Sequence, residues 1–247
     1  MKKGLILILL ICLQSLCCWA QGDGFAIDTI SNTVFARMQG HSFRKDCTVS
    51  RSELRYLTVK HFDAQGKEHQ GELVCNKAIA NDLIDIFRQL HQAHYPIERI
   101  ELVDNYDAND ERSMTANNTS CFCFRKITGS QRLSKHSMGM AIDINPLHNP
   151  CVSKRKDGSV VIEPAAGKRY ADRTKKSAYK LKKGDLCYRL FKSHGFSWGG
   201  DWRSKKDYQH FEKGSNFGGA GVRGDGGTRI DSRYEVRGSR IDKPLRN

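Results

Sequence analysis

Ser134-Lys135-His136-Ser137-Met138-Gly139-Met140-Ala141-Ile142-Asp143 sets an imidazole and a carboxylate seven residues apart, with a glycine between them. From Gly139 onward the residues alternate as on a strand. Met140, Ile142 and Ile144 can point into a core, while Ala141, Asp143 and Asn145 share the opposite face. Asp143 is thereby predicted to sit on a well-packed strand and face an open site, beside an alanine small enough to leave room. A carboxylate held that way, with a histidine just before it, is half of a metal site. The other half has to come from elsewhere in the chain.

The sequence after Gly195 supplies it. Phe196-Ser197-Trp198-Gly199-Gly200-Asp201-Trp202 is followed by Asp207-Tyr208-Gln209-His210-Phe211-Glu212. Catalytic zinc uses three protein ligands and keeps a position for water, and His136, Asp143 and His210 make that set. A further group must take a proton from the water without being a ligand itself. Asp207, three residues before His210, is placed for it. The absence of His-Glu-x-x-His excludes a thermolysin-like helix site. Asp201 reads as a structural cap on the Trp198/Trp202 loop, and His148 and His194 as structural histidines.

Ser134-x-His136-x-x-Gly139-x-Ala141-x-Asp143, then Trp198-Gly-Gly-Asp201-Trp202 and Asp207-x-x-His210, closely resembles the M15 metallopeptidases. These are D-alanyl-D-alanine carboxypeptidases, D,D-dipeptidases and L-alanyl-D-glutamate endopeptidases, and the resemblance covers roughly residues 71–213. It implies that His136, Asp143 and His210 bind one zinc ion and that Asp207 is the general base. Asn118, Ser120 and Arg125 fall in a segment that looks like the family's substrate-binding stretch. The resemblance thus implies substrate contacts for Asn118 and Ser120. Arg125 is a catalytic candidate, able to stabilise negative charge on a carbonyl oxygen. The carboxypeptidase and dipeptidase branch usually has glutamate as its base. Aspartate here matches the endopeptidase branch, a departure that bears on the bond cleaved more than on the hydrolytic chemistry. The expected activity is zinc-dependent hydrolysis in peptidoglycan stem peptides, D-alanyl-D-alanine carboxypeptidase-like. The alternatives are an L-alanyl-D-glutamate endopeptidase and a non-catalytic wall-binding protein on the same fold.

The rest of the 247-residue chain frames that site. Lys2 and Lys3, the apolar run Gly4–Ile11 and Cys18-Trp19-Ala20 predict a signal peptide over 1–20. Export to the periplasm or the outside follows. Of nine cysteines, Cys47, Cys75, Cys121, Cys123, Cys151 and Cys187 remain, as disulfides or buried thiols. Cys121 and Cys123 are closer than the usual zinc pair, and His91 and His94 read as surface histidines near a helix end.

The formal charge of +14 favours anionic wall or envelope polymers as further partners. No specific nucleic acid is expected, although binding through the Arg/Gly tail is a testable alternative. The chain is expected to be a monomer.

The predicted fold is α+β: a small antiparallel sheet carrying the zinc ligands, with helices packed on one side. A peptidase domain spans 21–213 and a flexible Gly/Arg-rich tail 214–247. Within the domain, the patterns predict a helix over 25–38 and a hairpin of Leu54–Phe62 with 71–75. A helix follows Asn76 as its N-cap, and a strand spans Ile97–Val103. The long basic stretch 146–183 reads as irregular apart from a small hairpin about Asp157-Gly158. A helix capped by Asp185 closes at Gly195.

Overall fold

The computed structural model describes residues 23–127 and 129–214. The expected signal peptide, and the expected tail beyond Gly214, lie outside the described residues. In chain order the elements are β1 (Ala26–Thr29), α1 (Asn32–Met38), β2 (Leu54–Phe62), β3 (Glu68–Asn76) and α2 (Ala80–Gln92). Then come β4 (Arg99–Ile100), α3 (Asp110–Thr115), β5 (Asn118–Thr119), β6 (Ala141–Asp143), β7 (Cys151–Lys154) and β8 (Val160–Glu163). The last are α4 (Leu186–Ser193), β9 (Ser197–Trp198), β10 (Lys205–Asp207) and β11 (His210–Glu212). Three small antiparallel sheets, β1-β2-β3, β6-β11-β9 and β10-β7-β8, and a parallel β4-β5 pair make a mixed α+β fold.

The β2–β3 hairpin is the frame. Its turn is closed by Asp63, whose Oδ1 accepts from the backbone N–H groups of Gln65 and Lys67, both at 2.9 Å. The register then runs unbroken from Phe62↔Glu68 to Leu54↔Asn76. Leu57, Val59 and Leu73 turn inward against Leu83, Ile86, Phe87 and Leu90 of α2. Full burial of each such side chain contributes about 1.5–3 kcal/mol. Ile142, Ile144, Phe191 and Phe211 join the same core, so the β6-β11-β9 sheet is seated on the hairpin and α2.

Several expectations change. The predicted helix over 25–38 is a strand and a helix: Ala26–Thr29 pair with Arg55–Thr58 of β2, and the helix begins after Ser31. The Ser31 hydroxyl accepts from Val34 N at 3.2 Å, satisfying an N–H left free at the helix start. Asn76 starts its helix from further back, with Oδ1 accepting from Ala78 N at 3.0 Å across a turn that leads into α2. The strand predicted at 97–103 shortens to β4, because its only strand partner is the two-residue β5. The stretch 146–183 is more regular than expected: β7 pairs with β8 on one side and with distant β10 on the other, as a third sheet.

The six cysteines of the domain are free thiols, five of them buried. Burial in apolar surroundings raises the thiol pKa of Cys75, Cys121 and Cys187. His91 and His94 stack on Phe62, with ring centroids 4.8 and 3.9 Å from its own.

Candidate metal centre and active-site cavity

His136 lies on a single 3-10 turn, Lys135–Met138, opened by Ser134, whose hydroxyl accepts from His136 N at 3.3 Å. The turn docks on the end of β3. Asn76 N donates to Gly139 O at 2.9 Å and Asn76 Nδ2 to Met138 O at 3.1 Å. Gly139 ends the turn at φ +63°, and a Cβ there would lie 2.6 Å from Asn76 N. Only glycine accepts both the left-handed backbone and that approach, which explains the glycine between the two candidate ligands.

β6 then brings Asp143 opposite His210 of β11. Alternation on β11 sends His210 and Glu212 to the site and Phe211 into the core. There its ring stacks on Phe191 with centroids 4.2 Å apart. Both faces of β6 are buried: Ala141 faces no open space, and the site sits over Asp143 alone.

The three side chains converge. His136 Nε2 is 3.2 Å from His210 Nδ1 and 3.3 Å from Asp143 Oδ2, and His210 Nδ1 is 3.1 Å from Asp143 Oδ1. Ligands about 2.0–2.1 Å from a tetrahedral ion stand about 3.3 Å from one another. The spacing and the two-nitrogen, one-carboxylate donor set therefore suit such an ion. Among the described residues this is the group of three or more His, Cys, Asp or Glu side chains that could hold a metal. Neither Cys121 nor Cys123 takes part.

Each imidazole is fixed by its other nitrogen. His136 Nδ1 lies 2.6 Å from Cys121 O, so it carries the proton and leaves Nε2 as a lone-pair donor. His210 Nε2 lies 3.1 Å from Glu212 Oε2, leaving Nδ1 for the centre. The electrostatics agree. Burial alone would raise the Asp143 carboxyl, but the two imidazoles outweigh it and hold the group well below the usual range. Burial would lower His210, yet the Asp143 and Glu212 carboxylates push it up to about 10. Both shifts favour positive charge at the centre of the cluster.

The cluster opens into a cavity of about 540 Å³. One wall is the β10-β7-β8 sheet, where Asp207, Cys151 and Glu163 lie in one cross-strand row. The other wall is formed by Arg125, Ile127, Arg132, Leu133, Ser134 and Lys135. Asp207 is buried and closely covered: a Cβ on Gly199 would come within 2.6 Å of Asp207 O and 2.7 Å of Asp207 Cβ. Arg125 lines the cavity with its guanidinium held by Asp110 at 2.7 Å.

Among the described residues, the buried side-chain polar atoms without a hydrogen-bond partner are Arg125 Nε, Asp207 Oδ1 and Gln209 Oε1. All three belong to cavity-lining residues. Each unpaired atom costs about 1–3 kcal/mol, so the lining of this cavity carries a local cost in stability.

Asn118 and Ser120 do not line this cavity. The Asn118 side chain bridges Glu101 N, Glu101 O and the Ser113 hydroxyl, and Ser120 exchanges backbone hydrogen bonds with Asp143. These contacts brace the strand that carries Asp143. Asp201 takes Lys183 Nζ at 2.9 Å and the Tyr188 hydroxyl at 3.3 Å, as a structural cap does. Gly195-Phe196-Ser197-Trp198-Gly199 has the spacing of a serine nucleophile turn, but Ser197 Oγ donates to Glu212 O and faces away from the cavity lining.

Lys205, Glu163 and Cys151 join the cavity without a signal in the sequence, since sheet pairing brings them there, and Gln209 enters it from the bend between β10 and β11. Glu212 was legible in principle, being two residues from His210 on a strand.

Residues 128–213 match the M15 peptidase family model described as D-alanyl-D-alanine carboxypeptidase, and this supports membership of the M15 family for the chain. No curated protein and no solved structure matches it. The matched segment contains His136, Asp143, Asp207 and His210, and ends one residue after Glu212.

Proposed function

We infer that the protein is a zinc-dependent peptidase that hydrolyses peptide bonds in peptidoglycan stem peptides, with D-alanyl-D-alanine carboxypeptidase-like specificity. The convergence of His136, Asp143 and His210 at 3.1–3.3 Å, open to a cavity that also holds Asp207, carries this reading. A bound zinc ion would supply Lewis-acid chemistry, acidifying water and polarising the scissile carbonyl.

The Asp207 carboxylate takes a proton from the attacking water as the water oxygen bonds to the carbonyl carbon. The same carboxyl then gives that proton to the leaving nitrogen as the C–N bond breaks, so one water is consumed per bond. Arg125, which lines the cavity, offers its guanidinium to the carbonyl oxygen or to a substrate carboxylate while Asp110 holds one edge of it.

The loop wall favours a substrate with a free carboxylate. Arg132 and Lys135 line it and have no ion-pair partner among the described residues, whereas Arg125 and Lys205 do. That supports removal of a C-terminal residue. Aspartate as base supports the second reading, cleavage between L-alanine and D-glutamate. The charged start, apolar run and small residues of 1–20 support export, to where such substrates lie.

The test is to digest purified peptidoglycan and a soluble stem pentapeptide with zinc-loaded and chelated protein, and to weigh the products. Loss of the terminal D-alanine, abolished by chelation and restored by zinc, is expected. Release at the L-alanine–D-glutamate bond would replace the first specificity with the second. Wall binding with no chelator-sensitive product would overturn the enzymatic reading.

A further inference from the structure

The two adjacent lysines of β10 are used differently. Lys206 turns behind the strand, where its Nζ donates to Gly200 O at 3.2 Å. Lys205 is on the strand face of Asp207 and lines the cavity with it. Its Nζ lies 3.4 Å from Asp207 Oδ2 and 4.9 Å from the centre of the Trp202 ring. An ammonium over an aromatic face is held electrostatically. Trp202 itself packs against His210, with ring centroids 5.3 Å apart. The ammonium is thus seated on a ring that already borders the metal cluster.

The two oxygens of Asp207 consequently differ. Oδ2 faces Lys205, and Oδ1 is buried without a partner. Packing around Asp207 is tight on the sides of Gly199 and Cys151. Packing alone sets the plane of a carboxylate poorly, because the last torsion of aspartate is broad and roughly two-fold. One directional contact to one oxygen is enough to select between the otherwise equivalent poses. Burial would lower the Lys205 pKa, but Asp207 and Cys151 beside it raise it, so the contact stays charge-assisted.

We propose that Lys205 is a positioning residue: seated on Trp202, it holds Asp207 by Oδ2 and so fixes the plane in which the carboxylate meets the cavity. The proposal rests on the reading of Asp207 as general base. It assigns a role in the reaction to a residue that touches neither the candidate ligands nor the scissile bond.

A double-mutant cycle on the zinc-loaded, full-length protein tests it, using release of D-alanine from a stem pentapeptide. Lys205→Met should lower kcat by about tenfold or more and leave KM within about twofold, since proton transfer is impaired and binding is not. Lys205→Arg keeps charge and reach and should recover most of that loss. In the Asp207→Asn background, Lys205→Met should change kcat by less than about twofold, because no base remains to be positioned. Lys154→Met removes the same charge from the exposed outer face of β7 and should leave kcat unchanged. Zinc affinity by chelator competition should match the parent throughout, and a crystal structure of Lys205→Met should show the Asp207 carboxylate turned from its present pose.

An effect on KM alone, full multiplication with Asp207→Asn, no rescue by arginine, or a fall in zinc affinity would each overturn the positioning role. Unchanged kcat in Asp207→Asn would overturn the base assignment, and it is read from that single variant without reference to Lys205.

Discussion

Glu212 shows how much of the candidate centre depends on a residue that need not touch the ion. Its carboxylate accepts from His210 Nε2 and fixes which nitrogen faces Asp143 and His136. Burial would raise the Glu212 carboxyl, but His210 holds it below its usual value, so it is ionised wherever the site works. Glu212→Gln keeps the volume and weakens that acceptor. Zinc affinity should fall by roughly 10–100-fold, read by competition with a chromophoric chelator. Affinity equal to the parent protein would show that strand β11 alone orients His210. His136 is fixed instead by a backbone oxygen, Cys121 O, which no single side-chain substitution removes.

At the scale of elements, the candidate centre is a joint between two sheets. β6 and β11 supply Asp143 and His210, and β10 supplies Asp207. Gly199, on the 3-10 turn between β9 and β10, lets them meet. A Cβ there would stand 2.6 Å from Asp207 O and 3.3 Å from His210 Cβ. Backbone on one side and the Asp207 side chain on the other leave it nowhere to go. Gly199→Ala should cost about 1–3 kcal/mol of stability and lower zinc affinity and peptidase activity together, as measured by thermal unfolding and the same competition assay. A variant with normal stability and unaltered metal affinity would mean that the turn yields more easily than the packing implies. Trp198 braces the turn from behind, its Nε1 donating to Tyr208 O at 2.9 Å. The Trp-Gly-Gly-Asp-Trp stretch is thus a spacer of fixed thickness, with Asp201 tying it to Lys183 and Tyr188.

At the scale of the whole molecule, acid should loosen the fold through histidines that titrate apart from the candidate metal centre. Burial lowers the His61 pKa to about 4, with Nδ1 2.7 Å from Ile97 O. Burial likewise lowers His148 to about 4, and Arg169 adds to the effect. In the unfolded chain both take up a proton near pH 6.5. Between about 6.5 and 4 the unfolded state therefore binds more protons, and stability falls as the pH falls through that window. For His61, only 4% exposed, the loss is up to about 3 kcal/mol. Denaturant unfolding of the zinc-loaded protein at a series of pH values should show this slope, and His61→Asn should flatten it. An equal slope in the variant would place the acid sensitivity elsewhere.

The sequence by itself determined the local half of this protein. The alternation after Gly139, the hairpin of 54–62 with 71–75, the helix capped by Asp185 and the spacing of Asp207 and His210 are all short-range patterns, although the second hairpin strand is longer than expected, Glu68–Asn76. Backbone periodicity and capping act over a few residues, so these can be read directly. The resemblance carried by the same residues also pointed to the three candidate metal ligands.

Tertiary structure decided what surrounds them. It divided 25–38 into strand and helix, since pairing with β2 outweighed a local helical pattern. It turned Asn118 and Ser120 into braces behind Asp143, and brought Lys205, Cys151 and Glu163 to the cavity through the register of a sheet in which β7 and β10 lie about fifty residues apart. Strand register is set by the burial of many side chains at once, and no single stretch of chain carries that sum.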